Sequence, residues 1–155
     1  FDQGDAKRIE HFLTVHDFAR LIAVREAVDT HVQFVIECAA LVHDIGIHPA
    51  EEKYGRCDGK LQEQEGPAPA KQLLQEAGLD ADDIARITWL VAHHHTYAPV
   101  EGIDHQILIE ADFLVNLYED GVGLEAVRQA YTRIFRTEAG KALCRFTFGL
   151  EMKDA

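Results

Sequence analysis

The chain has 155 residues, about the size of one ordinary domain and enough to close a hydrophobic core. Its 15 Lys and Arg face 27 Asp and Glu, a formal net charge of −12, which argues against a binder of nucleic-acid backbone or of an anionic membrane surface. Cys38, Cys57 and Cys144 are far apart without CxxC spacing, so they form neither a disulfide framework nor a zinc ribbon and fit a reducing cytoplasm. No apolar run approaches the roughly 20 residues of a membrane span, no basic-then-apolar signal opens the chain, and the start at Phe1 leaves the natural N-terminus open.

Hydrophobic residues recur at helical spacing almost throughout. Ile9, Phe12, Leu13, Val15, Phe18, Ala19 and Ile22 predict a first helix from about Ala6 to Glu26. A second starts at Asp29 or Thr30, carries Val32, Ile36, Ala39, Ala40 and His43 on one face, and ends at Gly46. From Ile47 to Lys60, Pro49, Gly55, Gly59 and several charges predict a loop over the site. A third helix is expected from Gln62 to Ala77, starting as late as Glu65 because of Pro67 and Pro69. Asp80 and Asp83 open a fourth, with Ile84, Ile87, Leu90, Val91 and His94 inward. A fifth, from about His105 to Asp120, aligns Leu108, Asp112 and Val115, and two more run near Leu124 to Phe135 and Glu138 to Leu150. The expectation is a single all-α domain over residues 1–155, a bundle of about six to seven helices.

His11, the pair His43-Asp44, and Asp112 each sit on the apolar stripe of one of these helices. A buried carboxylate without a partner costs several kcal/mol, and a metal ion is the partner that two imidazoles and two carboxylates can satisfy together. Mixed nitrogen and oxygen donors suit Mn, Fe, Zn, Co or Ni better than the all-oxygen shells of Ca or Mg.

Arg8-Ile9-Glu10-His11, Leu41-Val42-His43-Asp44-Ile45-Gly46 and Glu110-Ala111-Asp112, in that order, resemble the HD-domain superfamily of metal-dependent phosphohydrolases. The resemblance spans nearly the whole chain, although only these short motifs match closely. It implies that His11, His43, Asp44 and Asp112 hold one divalent transition metal, with Asp44 bridging to a second where one exists. It also implies hydrolysis of a small phosphate ester, such as a nucleotide, by a metal-activated water that Asp44 orients or deprotonates. An HD-fold di-iron oxygenase and a non-catalytic metal- or ligand-binding module are the alternatives, because a fold does not fix a reaction.

Among His93, His94 and His95, helical phase turns His94 toward the core stripe, with His95 beside it. These two, with Glu65, are the candidates for a second metal or for substrate contact. Gln62 occupies the position where many relatives place a histidine, so the number of ions is one or two. Ile47 and the lack of a GYP sequence after the histidines set the chain apart from cyclic-di-GMP phosphodiesterases. Lys53 and Arg56, aided by Lys60 and Tyr54, are candidates to grip the substrate phosphate, as is Arg8 beside His11. The expected partner is a small phosphorylated molecule, with no nucleic-acid polymer and no membrane.

Overall fold

The computed structural model of the protein describes residues 2–151. Nine helices and no strand occur among the described residues. They are α1 (Ala6–Arg25), α2 (Thr30–Val42), α3 (Ile47–Tyr54), α4 (Gly59–Glu65), α5 (Pro67–Glu76), α6 (Ala81–Val91), α7 (Ile103–Glu119), α8 (Leu124–Arg133) and α9 (Glu138–Phe148). The helix starts follow local chemistry. The Asp29 carboxylate accepts the His31 N–H at 2.8 Å, Asp80 accepts those of Asp82 and Asp83, and the Thr137 hydroxyl accepts that of Gly140. Each such cap satisfies a helical N–H that has no partner within the helix and stabilises by about 1 kcal/mol.

The helix count exceeds the expected six to seven because the loop expected over residues 47–60 is largely helical. Its punctuation residues mark the ends of a short helix. Pro49 lies in the first turn of α3, where a missing N–H costs nothing. Gly55 closes α3 in the left-handed conformation, with φ 68°. Asp58 then caps α4. The helix expected from Gln62 to Ala77 is likewise two, broken at Gly66 and restarted with Pro67 in its first position.

Gly46 and Gly66 meet backbone to backbone at this break. A β-carbon on Gly46 would lie 2.5 Å from the Gln62 carbonyl oxygen and 2.7 Å from the Gly66 nitrogen. One on Gly66 would lie 2.8 Å from Val91 Cγ1. Neither glycine has a positive φ, so close approach is what requires them.

Helix α1 packs on α2 and α7, α2 also on α6 and α7, and α5 on α6. The hydrophobic cluster joins Val15, Ala19 and Ile22 of α1, Ile36 and Ala39 of α2, Ile87 and Leu90 of α6, and Leu108 and Leu114 of α7. It continues to Phe135 and Cys144 near and in α9. Burying a large aliphatic side chain stabilises by about 1.5–3 kcal/mol, so these helices are held mainly by their shared inner faces. Helix α7 is buried along nearly its whole length.

One buried charge fixes the C-terminal end of this packing. Glu110 of α7 accepts hydrogen bonds from the N–H groups of Arg136 (2.5 Å) and Thr137 (2.9 Å), from the Thr137 hydroxyl, and from Gln106 Nε2 (2.7 Å). Glu110 thus ties α7 to the start of α9 two residues before Asp112. No helix among the described residues is long and apolar enough to cross a membrane.

Candidate metal centre

Four chain segments converge where α1, α2, α6 and α7 meet. His11 lies on α1 in the stripe that continues through Val15, Ala19 and Ile22, and Asp112 lies on α7 between buried Leu108 and Val115. His43 and Asp44 occupy the turn directly after α2, and His94 the corresponding turn after α6. All five side chains are buried.

The distances describe a cluster of electron-pair donors facing one another. His11 Nε2 is 3.4 Å from His43 Nε2, and Asp112 Oδ1 is 3.4 Å from both. Asp44 Oδ2 is 3.6 Å from His11 Nε2, and Asp44 Oδ1 is 3.7 Å from His43 Nε2. His11, His43 and Asp44 present donor atoms that all lie within 4.8 Å of one another.

The outer nitrogens of the two rings decide what the inner ones can do. His43 Nδ1 lies 2.8 Å from the Ala40 carbonyl oxygen, which can only accept, so Nδ1 carries a proton. His11 Nδ1 is similarly placed 3.3 Å from the Glu119 carboxylate. In the neutral rings the Nε2 lone pairs therefore point at carboxylate oxygens, an arrangement that calls for positive charge at its centre. Burial alone would lower the His43 pKa, yet the Asp44 and Asp112 carboxylates overcome it and hold the ring up to about 9. Burial likewise works against ionised Asp44, but His43 and His94 bring it down to about 2, and Asp112 is held below the ordinary carboxylate range by His11 and His43. A proton on His43 supplies one charge, whereas a divalent cation satisfies every converging lone pair at once. The donor set fits a divalent metal ion, which His11, His43 and Asp44, with Asp112 beside them, could hold.

Supporting contacts orient these groups. Asn116 Nδ2 donates to Asp112 Oδ1 at 2.9 Å, and Glu119 holds His11 from behind. Partners of this kind fix ring orientation and ligand basicity around metals. Asn116 and Glu119 were not among the residues expected from the sequence. A signal for them exists, because they follow Asp112 at i+4 and i+7 and so share its face of α7.

A second trio of metal-compatible donors is Asp44, His94 and His95, so Asp44 belongs to both groups. His94 Nδ1 lies 2.8 Å from the Val91 carbonyl oxygen, and its Nε2 lies 3.1 Å from Asp44 Oδ1. His95 is engaged elsewhere. Its Nε2 is 2.8 Å from Gln62 Oε1 and its Nδ1 3.2 Å from the Tyr97 hydroxyl. Burial, then the neighbouring His94, lowers its pKa to about 4 and keeps the ring neutral. His93 faces away, stacked on Trp89 with ring centroids 4.1 Å apart. Its carbonyl lies 2.8 Å from Nε2 of buried His105, a histidine to which sequence spacing gave no role and which braces the histidine run. The third candidate for this region, Glu65, is placed on α4 with Oε1 accepting from Lys53 Nζ (3.0 Å), the Tyr54 hydroxyl (2.9 Å) and Gln64 Nε2 (2.9 Å).

A cavity of about 240 Å³ opens beside His11 and Asp44 and is lined also by Lys7, Arg8, Cys57 and Glu119. Two wider clefts, of about 620 Å³ beside His48 and about 550 Å³ beside Thr88, include none of the converging donors. Donor chemistry, and not volume, singles out the smaller cavity. Of the cations expected at a substrate phosphate, Lys53 is engaged by Glu65, and Arg56 pairs with Asp58 at 3.0 Å. Both are exposed and neither lines the cavity. Arg8 does line it, with a terminal guanidinium nitrogen 3.9 Å from Asp44 Oδ2 and a buried Nε that has no hydrogen-bond partner.

No match was found among curated proteins or among solved structures. The model of the HD domain family matches residues 8–129, a span that opens three residues before His11 and includes His43, Asp44, His94 and Asp112. The order of these residues, the buried donor cluster they form and that match agree: this chain belongs to the HD domain family, a superfamily of metal-dependent phosphohydrolases.

Proposed function

We propose that the protein hydrolyses a small phosphate ester, with a nucleotide as one such substrate, at a divalent transition-metal centre. The observation that carries this reading is the convergence of the His11 and His43 Nε2 atoms on the carboxylates of Asp44 and Asp112. Bound there, a divalent metal polarises a phosphoryl oxygen and lowers the pKa of water from 15.7 toward about 7.

The chain's own groups set the rest. Asp44 faces both the donor cluster and the cavity, so its carboxylate is placed to accept a hydrogen bond from the attacking water and align it. Arg8 and Lys7 offer charge-assisted bonds to phosphate oxygens at the cavity wall. About 240 Å³ is small beside the roughly 300–1,000 Å³ of drug-sized sites, which favours a compact ester over a polymer. The net charge of −12 works in the same direction, since it repels extended polyanions. The unpaired thiols of Cys38, Cys57 and Cys144 suit a reducing compartment, and we place the protein in the cytoplasm.

The test is release of inorganic phosphate from a panel of phosphate monoesters by protein loaded with Mn(II), Fe(II), Co(II), Ni(II) or Zn(II), set against Asp44→Ala. Turnover that Asp44→Ala abolishes supports the reading. Oxygen consumption by the iron-loaded protein without phosphate release would replace it with oxygenase chemistry, and full turnover by metal-depleted Asp44→Ala would sink it.

A further inference from the structure

His95 belongs by position to a donor trio with Asp44 and His94, yet its hydrogen bonds make it a poor ligand. The orientation of the Gln62 amide is settled by its far end, because Gln62 Nε2 lies 2.8 Å from the Cys57 carbonyl oxygen, which can only accept. Gln62 Oε1 must then face His95 Nε2 at 2.8 Å. An amide oxygen accepts, so that ring nitrogen carries the proton and has no lone pair to give. The other ring nitrogen accepts from the Tyr97 hydroxyl at 3.2 Å. The ring is also seated tightly, since a β-carbon on Gly59 would lie 2.7 Å from His95 Cγ.

The carboxylates that could compensate are committed as well. Glu63 Oε1 accepts the His95 backbone N–H (3.0 Å) and the Thr96 hydroxyl (2.9 Å), and Glu65 is held by Lys53 and Tyr54. What remains of the second trio is His94 with a carboxylate that the first donor set also needs. Two donors, one of them shared, are too few to retain a second ion against a complete set of four.

We infer that Gln62 restricts this centre to a single metal ion by holding His95 as a proton donor, so that the ion sits with His11, His43, Asp44 and Asp112. This rests on the metal-centre reading above and adds to it the stoichiometry and the residue that sets it.

The experiment is Zn(II) content per chain, by elemental mass spectrometry after loading and gel filtration, for the wild-type protein and for Gln62→His. It is paired with long-range ¹H–¹⁵N spectra that report which histidine nitrogen carries the proton in the zinc-loaded wild type. The expected result is one ion in the wild type, two in Gln62→His, and a His95 that keeps its Nε2 proton when zinc binds. Two ions in the wild type, or loss of that proton on loading, would overturn the inference while leaving the metal centre standing. One ion in both proteins would remove Gln62 from its role. No bound ion in the wild type would instead defeat the underlying metal reading. Should Gln62→His not fold, the wild-type spectra alone decide.

Discussion

Two histidine regions of this molecule are built from the same residue type and behave in opposite ways. At the meeting of α1, α2 and α7, the outer nitrogens of His11 and His43 face a carboxylate and a carbonyl, which leaves their inner lone pairs converging on Asp44 and Asp112. Near α4 and the end of α6, His95 meets an amide oxygen on Nε2 and a hydroxyl on Nδ1. The first region gathers acceptors that require a cation, and the second presents a proton. Whether a histidine can ligate is decided by the hydrogen bonds on both of its ring nitrogens, and not by burial or by position in a motif.

The largest predicted effect comes from removing a converging donor. His43→Ala should lose the metal and bring turnover to background, read by elemental analysis and phosphate release. Retained stoichiometric metal in that variant would erase the distinction between the regions.

Next is the seam that joins them. Gly46→Ala places a methyl group against the backbone of Gln62 and Gly66, and overpacking of this kind costs roughly 1–3 kcal/mol. For a chain of this length that corresponds to a fall in Tm of several degrees, measured by calorimetry.

Two milder variants separate the regions further. Glu119→Gln, behind His11, should weaken metal affinity by roughly 10- to 100-fold, whereas Tyr97→Phe, beside His95, should leave it unchanged in the same titration. Equal losses would mean that both histidines ligate.

The smallest expected effects concern substrate. Arg8→Ala should raise KM for a phosphate ester by about tenfold with metal content intact, the range of one lost charge-assisted bond. Lys53→Ala removes an exposed ion pair outside the cavity and should leave KM unchanged.

Much of the fold could be read directly. The all-helical class, the bounds of α1, the Asp29 and Asp80 caps and the inward stripe of α7 are local properties of spacing and side-chain chemistry. The segment from Ile47 to Glu65 could not be read that way. Its prolines and glycines signal interruption equally well whether they break a loop or bound short helices, and the choice follows from packing against α5 and α6 across Gly46 and Gly66.

The candidate site divides along the same line. His11, His43, Asp44 and Asp112 are legible because buried imidazole and carboxylate groups on apolar stripes have few satisfactory partners, and their order in the chain carries the family resemblance. Glu119 and the Gln62 amide act through contacts between elements distant in sequence, on His11 and on His95, whereas Asn116 holds Asp112 from within α7 and Arg56 pairs locally with Asp58. The all-helical class, the long helices α1 and α7 and the buried groups that could hold a metal ion follow from the sequence alone, since periodicity and desolvation act residue by residue. Packing between helices sets which nitrogen keeps its proton and which cations reach the cavity, because a hydrogen bond depends on what stands within about 3 Å.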